Sequence, residues 1–286
     1  MSAFSFSLLP HRGVLAVGGP DRVAFLQGLI SNDTTKVAPG SAVWAALLTP
    51  QGRFLNEMFV IDGGDDTLLL ETERERAPSL AKKLSLYKLR SKVTIEDRSA
   101  AMEVAAVFGA ADALLPPPGA IAFPDPRLHE LGYRILAPHQ TLRQGLAAQG
   151  MREVPFEVYD ARRLSLGVPD GSRDLLVEKA LLLENGFDEL HGIDWNKGCY
   201  MGQELTARTK YRALIRKRLL PVNIEGDPPS PGTAVQMDGR EVGELRSVSG
   251  NRALALLQID AVRSGAALSA EGRRITPEIP GWLQLS

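Results

Sequence analysis

Cysteine is nearly absent from this chain: Cys199 is the only one among 286 residues. A lone thiol excludes an internal disulfide framework and supplies at most one ligand to a zinc or iron-sulfur site, so no stably bound metal is expected. Long apolar runs are missing as well. No window offers the ~20 consecutive apolar residues of a membrane-spanning helix, which excludes a helical membrane protein. An excess of either charge is also lacking, since 33 Lys and Arg stand against 34 Asp and Glu. The molecule as a whole therefore exerts no strong pull on nucleic acid or an anionic bilayer, and any basic site must be local. The first residues, "MSAFSFSLLPHRGVLAVGG", show neither a basic segment before an apolar core nor an Arg-rich amphipathic pattern. A cytoplasmic location is the expectation.

What is present is an ordinary globular composition, 44% apolar and 23% charged, over a length suited to two or three domains. "RGVLAVGG" reads as a strand. "PDRVAFLQGLISND" reads as a helix, with Pro20 at its start and Val23, Leu26, Leu29 and Ile30 at helical spacing. From Ala42 to Thr72, turns at "TPQG" and "DGGDD" divide three strands of a meander, with Pro50 and Gly52 at the second and fourth positions of a type I turn. A helix with Leu80, Leu84 and Tyr87 on one face then leads to a strand over about 92–97. This order predicts helices layered on an antiparallel sheet. The stretch after Ala101 reads as a looser second α+β unit with proline-broken strands. After the Pro- and Gly-rich "IEGDPPSPGT", short strands with Asp-Gly and Ser-Gly turns predict a small β-barrel or sandwich. The expected domains are 1–98, 99–213 and 214–286.

The stretch with most chemical content is "NKGCYMGQELTARTKYR", Asn196 to Arg212. Gly198 and Gly202 bracket Cys199, Tyr200 and Met201 and allow tight backbone geometry or close ligand approach. From Gln203 to about Tyr211 a helix is predicted, with Glu204 and Arg208 at the favourable acid-first i, i+4 spacing. Amides at the start of that helix, with Lys197 nearby, suit an anion. An interdomain loop with a surface ion pair accounts for the same residues equally well. For Cys199, Lys197 and the helix start favour a thiolate, whereas an unpaired cysteine is more often a small buried hydrophobe; His191 is the only histidine nearby in sequence. Six cations lie between Arg208 and Arg218. Arg208, Lys210 and Arg212 are candidates for a polycarboxylate or phosphate, and the absence of interleaved stacking aromatics weighs against RNA.

"KGCYMGQELTAR" resembles the signature of the YgfZ family of folate-binding proteins, within the superfamily of the glycine-cleavage T-protein. "FLQGLISNDTTKV", "LYKLRSKVTI" and "DARRLSLGVP" agree with it, so the resemblance spans about Val14 to Arg212. It implies an α+β body of two ferredoxin-like units plus a C-terminal small β-barrel, three domains in a ring around a central channel. It further implies binding of tetrahydrofolate or a one-carbon derivative, and a role in assembly or repair of iron-sulfur proteins, including radical enzymes that modify tRNA. The partners implied are iron-sulfur client enzymes and assembly proteins, for a bacterial cytoplasmic monomer with no membrane and no direct nucleic-acid contact. The motif positions are Lys197, Tyr200, Gly202, Gln203, Glu204 and Arg208 for the cofactor, with Cys199 as the candidate reactive group. In the T-protein relatives, the stretch matching "GRFLNEMFV" holds an essential carboxylate near the folate; this chain has Asn56 and Glu57 there. If Asn56 takes the essential place the carboxylate is lost, which weighs against the alternative function, a folate-dependent aminomethyl-type transferase; Glu57 is the substitute, but adjacent residues on a strand face opposite ways. Asn56, Glu57 and Glu184 are the polar groups available to a pterin, and Lys197, Arg208 and Arg212 the cations available to its glutamate tail.

Overall fold

The computed structural model describes residues 4–109, 114–139, 141–212 and 214–285. Ala213, the expected end of the second domain, lies outside the described residues. The chain forms two compact units built from separated stretches: Met1–Leu48, Leu55–Tyr159 and His191–Met201 make one, and Thr49–Phe54, Asp160–Leu190 and Gly202–Ser286 the other.

The first unit contains two five-stranded sheets. In one, β2 (Arg12–Gly18), β3 (Ala42–Leu48), β4 (Phe54–Asp62), β5 (Thr67–Glu73) and β6 (Thr94–Asp97) run in the order β3-β4-β5-β2-β6. Helices α1 (Arg22–Gln27) and α2 (Ala77–Tyr87) accompany it, and α2 buries Ala77, Leu80 and Leu84, the stripe its 3.6-residue period places on one side. The expected strand, helix, meander, helix, strand order is the order observed. The second sheet contains β7 (Met102–Phe108), β8 (Ile121–Pro124), β9 (Tyr133–Pro138) and the short β10 (Arg152–Glu153), with α3 (Thr141–Ala148) packed on it through Leu142 and Leu146. Its order is β10-β1-β7-β9-β8, because β1 (Ser5–Leu8) inserts between β10 and β7. The N-terminal strand thus joins the sheet formed by residues a hundred positions later. A strand of four residues has too little periodicity to reveal such a partner in the sequence.

The two sheets are joined by buried charge. Arg12 on β2 donates to Glu57 on β4 and, at 2.8 Å, to Glu71 on β5; Arg134 on β9 donates to Glu71 and, at 3.2 Å, to Asp125. Arg127 holds Asp125 bidentately at 2.9 and 2.7 Å and lies 4.8 Å from the centre of the Phe59 ring. All six ionic side chains are buried. Burial alone would raise Asp125, yet Arg127 and Arg134 hold its carboxyl below the ordinary carboxylate range. Three buried cations face three buried carboxylates, so the cluster carries no net charge.

In the second unit, α5 (Gln203–Tyr211) precedes a closed six-stranded barrel of β11 (Lys217–Ile224), β12 (Ala234–Met237), β13 (Arg240–Ser249), β14 (Arg252–Gln258), β15 (Leu268–Ala270) and β16 (Arg273–Pro277), with α6 (Ile259–Ser264) after β14. Alternate residues such as Leu220, Val222 and Ile224 fill its interior. The "DARRLSLGVP" stretch in α4 (Phe156–Ser165) and its following loop does structural work. Arg163 bonds Asp160 at 2.6 Å, Asp174 at 2.7 Å and the Val168 carbonyl at 3.0 Å, while Asp174 also accepts from the backbone amide of Ser247 on β13 at 3.0 Å. The Thr49–Arg53 turn closes as the sequence predicts, with the Gly52 amide donating to the Thr49 carbonyl at 2.8 Å. Gly52, at φ +78°, sits so near α5 that a Cβ there would lie 2.7 Å from the Gly202 carbonyl oxygen.

Candidate functional site

Within the first unit, the segment His191–Met201 is stitched to the turn that follows α1, so that the "ISND" and "NKGCY" stretches meet in space. Ser31 Oγ donates to the Gly192 carbonyl at 2.6 Å, and Asn32 Nδ2 donates to the His191 carbonyl at 2.7 Å. The Asp194 amide returns a bond to the Ser31 carbonyl at 3.0 Å, and the Met201 amide one to Gly28 at 3.1 Å. Asp194 nucleates the loop: its Oδ1 accepts from the amides of Asn196 at 2.7 Å and Lys197 at 3.1 Å, an Asx turn, while Oδ2 pairs with Lys36. Burial pushes the Asp194 carboxyl up, but Lys36 and the two amides outweigh it and hold the group below its ordinary value.

Lys197 donates to the carbonyls of Ile30 at 2.7 Å and Asn32 at 2.6 Å, and its ammonium lies 5.3 Å from the centre of the buried Tyr200 ring. Burial pushes its pKa down to about 8, against the opposing charges of Asp33 and Asp194. An ammonium so engaged braces the loop rather than reaching for an anionic tail. Between these two anchored side chains Cys199 is exposed, which settles the choice between a buried hydrophobe and a presented thiol in favour of the latter. Cys199 and the exposed His191, at φ +60°, share no hydrogen bond. Among the described residues no group of three His, Cys, Asp or Glu side chains is placed to hold a metal.

The other expected site residues fall elsewhere. Glu57 accepts from Trp44 Nε1 at 2.6 Å as well as from Arg12, so its carboxylate belongs to the buried cluster and does not face a ligand. Asn56, next to it on β4, is also buried, and its Nδ2 has no hydrogen-bond partner among the described residues. In the second unit, Gly202 caps α5 at φ +80°, as its glycine identity requires, and Gln203 opens the helix half-buried. Glu204 and Arg208 are both exposed and form no ion pair with each other, whereas Lys210 pairs with Asp188 at 2.9 Å. Arg218 is withdrawn from the basic run altogether, buried against Glu189 at 2.7 Å.

Glu184 lies in a cleft of about 300 Å³ in the second unit, lined also by Arg53, Lys179, Lys217, Glu244 and Arg246. Burial pushes its carboxyl up, opposed by Lys217, Arg53 and Arg218. Arg246 pairs with Glu244, and its buried Nε has no acceptor among the described residues. Arg53, Lys217 and Arg246 were not legible as neighbours of Glu184. They come from a hairpin tip and two barrel strands, and no local pattern links them.

Two domain families match the chain: the GCVT N-terminal domain over residues 9–116 and the CAF17 C-terminal beta-barrel domain over 216–285. The crystal structure of the glycine cleavage system aminomethyltransferase T from Bartonella henselae superposes with a TM-score of 0.79 over 99% of this chain and 87% of that one, at 14% identity. The fold is therefore of the aminomethyltransferase T class. Within that class, the human iron-sulfur cluster assembly factor IBA57, mitochondrial, is 34% identical over 98% of this chain and 86% of its own length, and the Mus musculus protein is 32% identical over 96% and 84%. The chain belongs to the IBA57 family of iron-sulfur cluster assembly factors. A homologue from Mycosarcoma maydis is 35% identical, but this chain spans only 60% of its length, and 52% of the Neurospora crassa homologue. These findings place the signature with IBA57 rather than with YgfZ inside the shared superfamily. All four of these relatives are described as mitochondrial, which overturns the expectation of a bacterial cytoplasmic protein. No helix among the described residues is long and apolar enough to cross a membrane.

Proposed function

We propose that this protein serves the assembly or repair of iron-sulfur proteins, radical enzymes that modify tRNA among them, with Cys199 presented to the client or to a partner assembly protein, and that it binds tetrahydrofolate at the Glu184 cleft. The observation that carries the first part is the exposed Cys199 on a loop braced by Lys197 and Asp194. A loop fixed at both flanks presents its thiol at a defined place, which is what transfer to or from another protein requires. One thiol does not complete a cluster ligand set, so the cluster is cargo whose other ligands come from the partner.

Tetrahydrofolate fits the residues of the cleft. Its pterin offers paired donors to a half-buried carboxylate, here Glu184, and its glutamate offers an anion to Arg53, Lys217 and the unpartnered Nε of Arg246. Aminomethyl transfer is disfavoured, because of the two residues that the resemblance sets at the essential carboxylate Asn56 carries none and Glu57 is consumed by Arg12 and Trp44.

Cys199→Ser, introduced in place of the native protein, is expected to reduce cluster-dependent enzymes and tRNA thiomethylation as far as deletion does. Unchanged activities under oxidative stress would remove the assembly role. Calorimetry with tetrahydrofolate should show binding that Glu184→Gln weakens about tenfold, a loss of one decade in affinity; no heat at millimolar ligand removes the folate reading and leaves the cysteine result untouched.

A further inference from the structure

The end of α2 and the turn after it carry a combination that folding does not explain. Leu84 and Leu80 point into the core, but Leu86 is 69% exposed and Leu89 88% exposed. Leu89 also adopts φ +44°, in a turn closed by the Ser91 amide on the Lys88 carbonyl at 2.8 Å. Glycine takes that conformation without cost, whereas an L side chain there is strained by roughly 1–2 kcal/mol. A leucine that is both strained and bare to water gains nothing for the folded state, and such outliers gather where a surface is used. The same stretch of chain carries Lys82, Lys83, Lys88, Arg90 and Lys92, with no acidic residue in the sequence between Pro78 and Thr94. Asp21, which lines the same depression with Leu89, Arg90 and Ser91, is engaged by the Lys92 amide at 2.7 Å.

We infer that the Leu86–Leu89 turn is a docking surface for a protein partner whose own surface is acidic and offers an apolar pocket to Leu89. Five cations against the single carboxylate of Asp21 in the depression set the sign of the partner, and two leucines of this exposure supply the apolar anchor of a small interface. A bilayer is a poorer fit, because α2 spends its apolar stripe on the core and leaves only these two side chains for insertion. Single-stranded nucleic acid is a poorer fit again, since the one aromatic beside the cations among the described residues, Tyr87, is half-buried and offers no open stacking face.

The test uses the full chain in cells, with a photo-crosslinking benzoylphenylalanine at Ser85, beside the intact leucines, and at exposed Asp227 as control. The expected result is a protein adduct from Ser85 alone, with the cross-link mapping to an acidic patch of the captured partner. The purified pair, measured by calorimetry, should bind about tenfold more weakly with Leu89→Gly and with Lys88→Glu/Arg90→Glu, while Leu89→Gly retains or raises the melting temperature. Binding by wild type should also weaken steeply with salt. Adducts only to lipid or to a second copy of the chain, no adduct, a non-acidic contact patch, or an affinity unmoved by the variants would each overturn the inference.

Discussion

The ammonium of Lys197 lies 2.6 Å from the carbonyl oxygen of Asn32, a contact spanning 165 positions in the sequence. It fastens the loop bearing Cys199 to the turn after α1, and it does so with a charge that is costly to bury. Lys197→Met removes the donor from the Ile30 and Asn32 carbonyls and is expected to destabilise the first unit by about 1–3 kcal/mol at pH 7. The pH dependence has a definite sign. The folded pKa of about 8 lies below the ordinary lysine value, so in the window between them the unfolded chain holds the proton and the folded chain does not. The penalty is fully present below pH 8 and fades as pH rises through that window, so this group makes stability rise with pH there. Urea unfolding from pH 7 to 10.5 should show that rise in the wild type and not in Lys197→Met. A lysine NMR titration placing Lys197 above pH 10 would contradict it.

The glycines of the signature and its neighbour should separate into three grades. A Cβ at Gly198 meets nothing within 4 Å and the position has no positive φ, so Gly198→Ala should change stability by less than about 0.5 kcal/mol. Gly202→Ala must hold φ +80° and should cost about 1 kcal/mol. Gly52→Ala adds a clash with the Gly202 carbonyl and Leu205 Cβ, both at 2.7 Å, and should cost about 2–4 kcal/mol. Denaturant midpoints check the order. Full folding of Gly198→Ala with loss of cluster-enzyme support would mean that the space beside Cys199 is filled by a partner.

The contrast between Gly198 and Gly202 shows what was legible in the sequence. The element order from β2 to β6, the Thr49–Gly52 turn, the helix after Gly202 and a barrel beginning near Leu219 follow from periodicity and turn chemistry, which are local, and all are observed, the barrel's first strand starting at Lys217. The signature stretches were legible as text, but their meeting through Asn32, Asp194 and Lys197 was not, because hydrogen bonds across some 160 positions leave no local pattern. Glu57 was misplaced for the same reason. A glutamate in an apolar strand reads equally well as a ligand group or as half of an ion pair, and its partner Arg12 lies 45 residues away.

That ambiguity can be resolved by experiment. In the structure, the Glu57 carboxylate accepts from Arg12 and from Trp44 Nε1 inside a cluster of three cations and three anions. Glu57→Gln keeps the shape but leaves three buried cations against two carboxylates, with Arg12 retaining only Glu71 at 2.8 Å, and the expected cost is about 3–5 kcal/mol. If Glu57 instead faced a ligand, the amide would fold as well as wild type and alter only tetrahydrofolate binding. Thermal unfolding and folate calorimetry on one variant therefore separate the two roles. Adding Arg12→Met to Glu57→Gln returns the remaining cluster to two cations and two anions. The double variant should therefore recover part of the lost stability, a coupling a double-mutant cycle measures directly. Additive losses would show that Arg12 and Glu57 do not act as a pair, and the cluster would then have to be held by Glu71 and Asp125 alone.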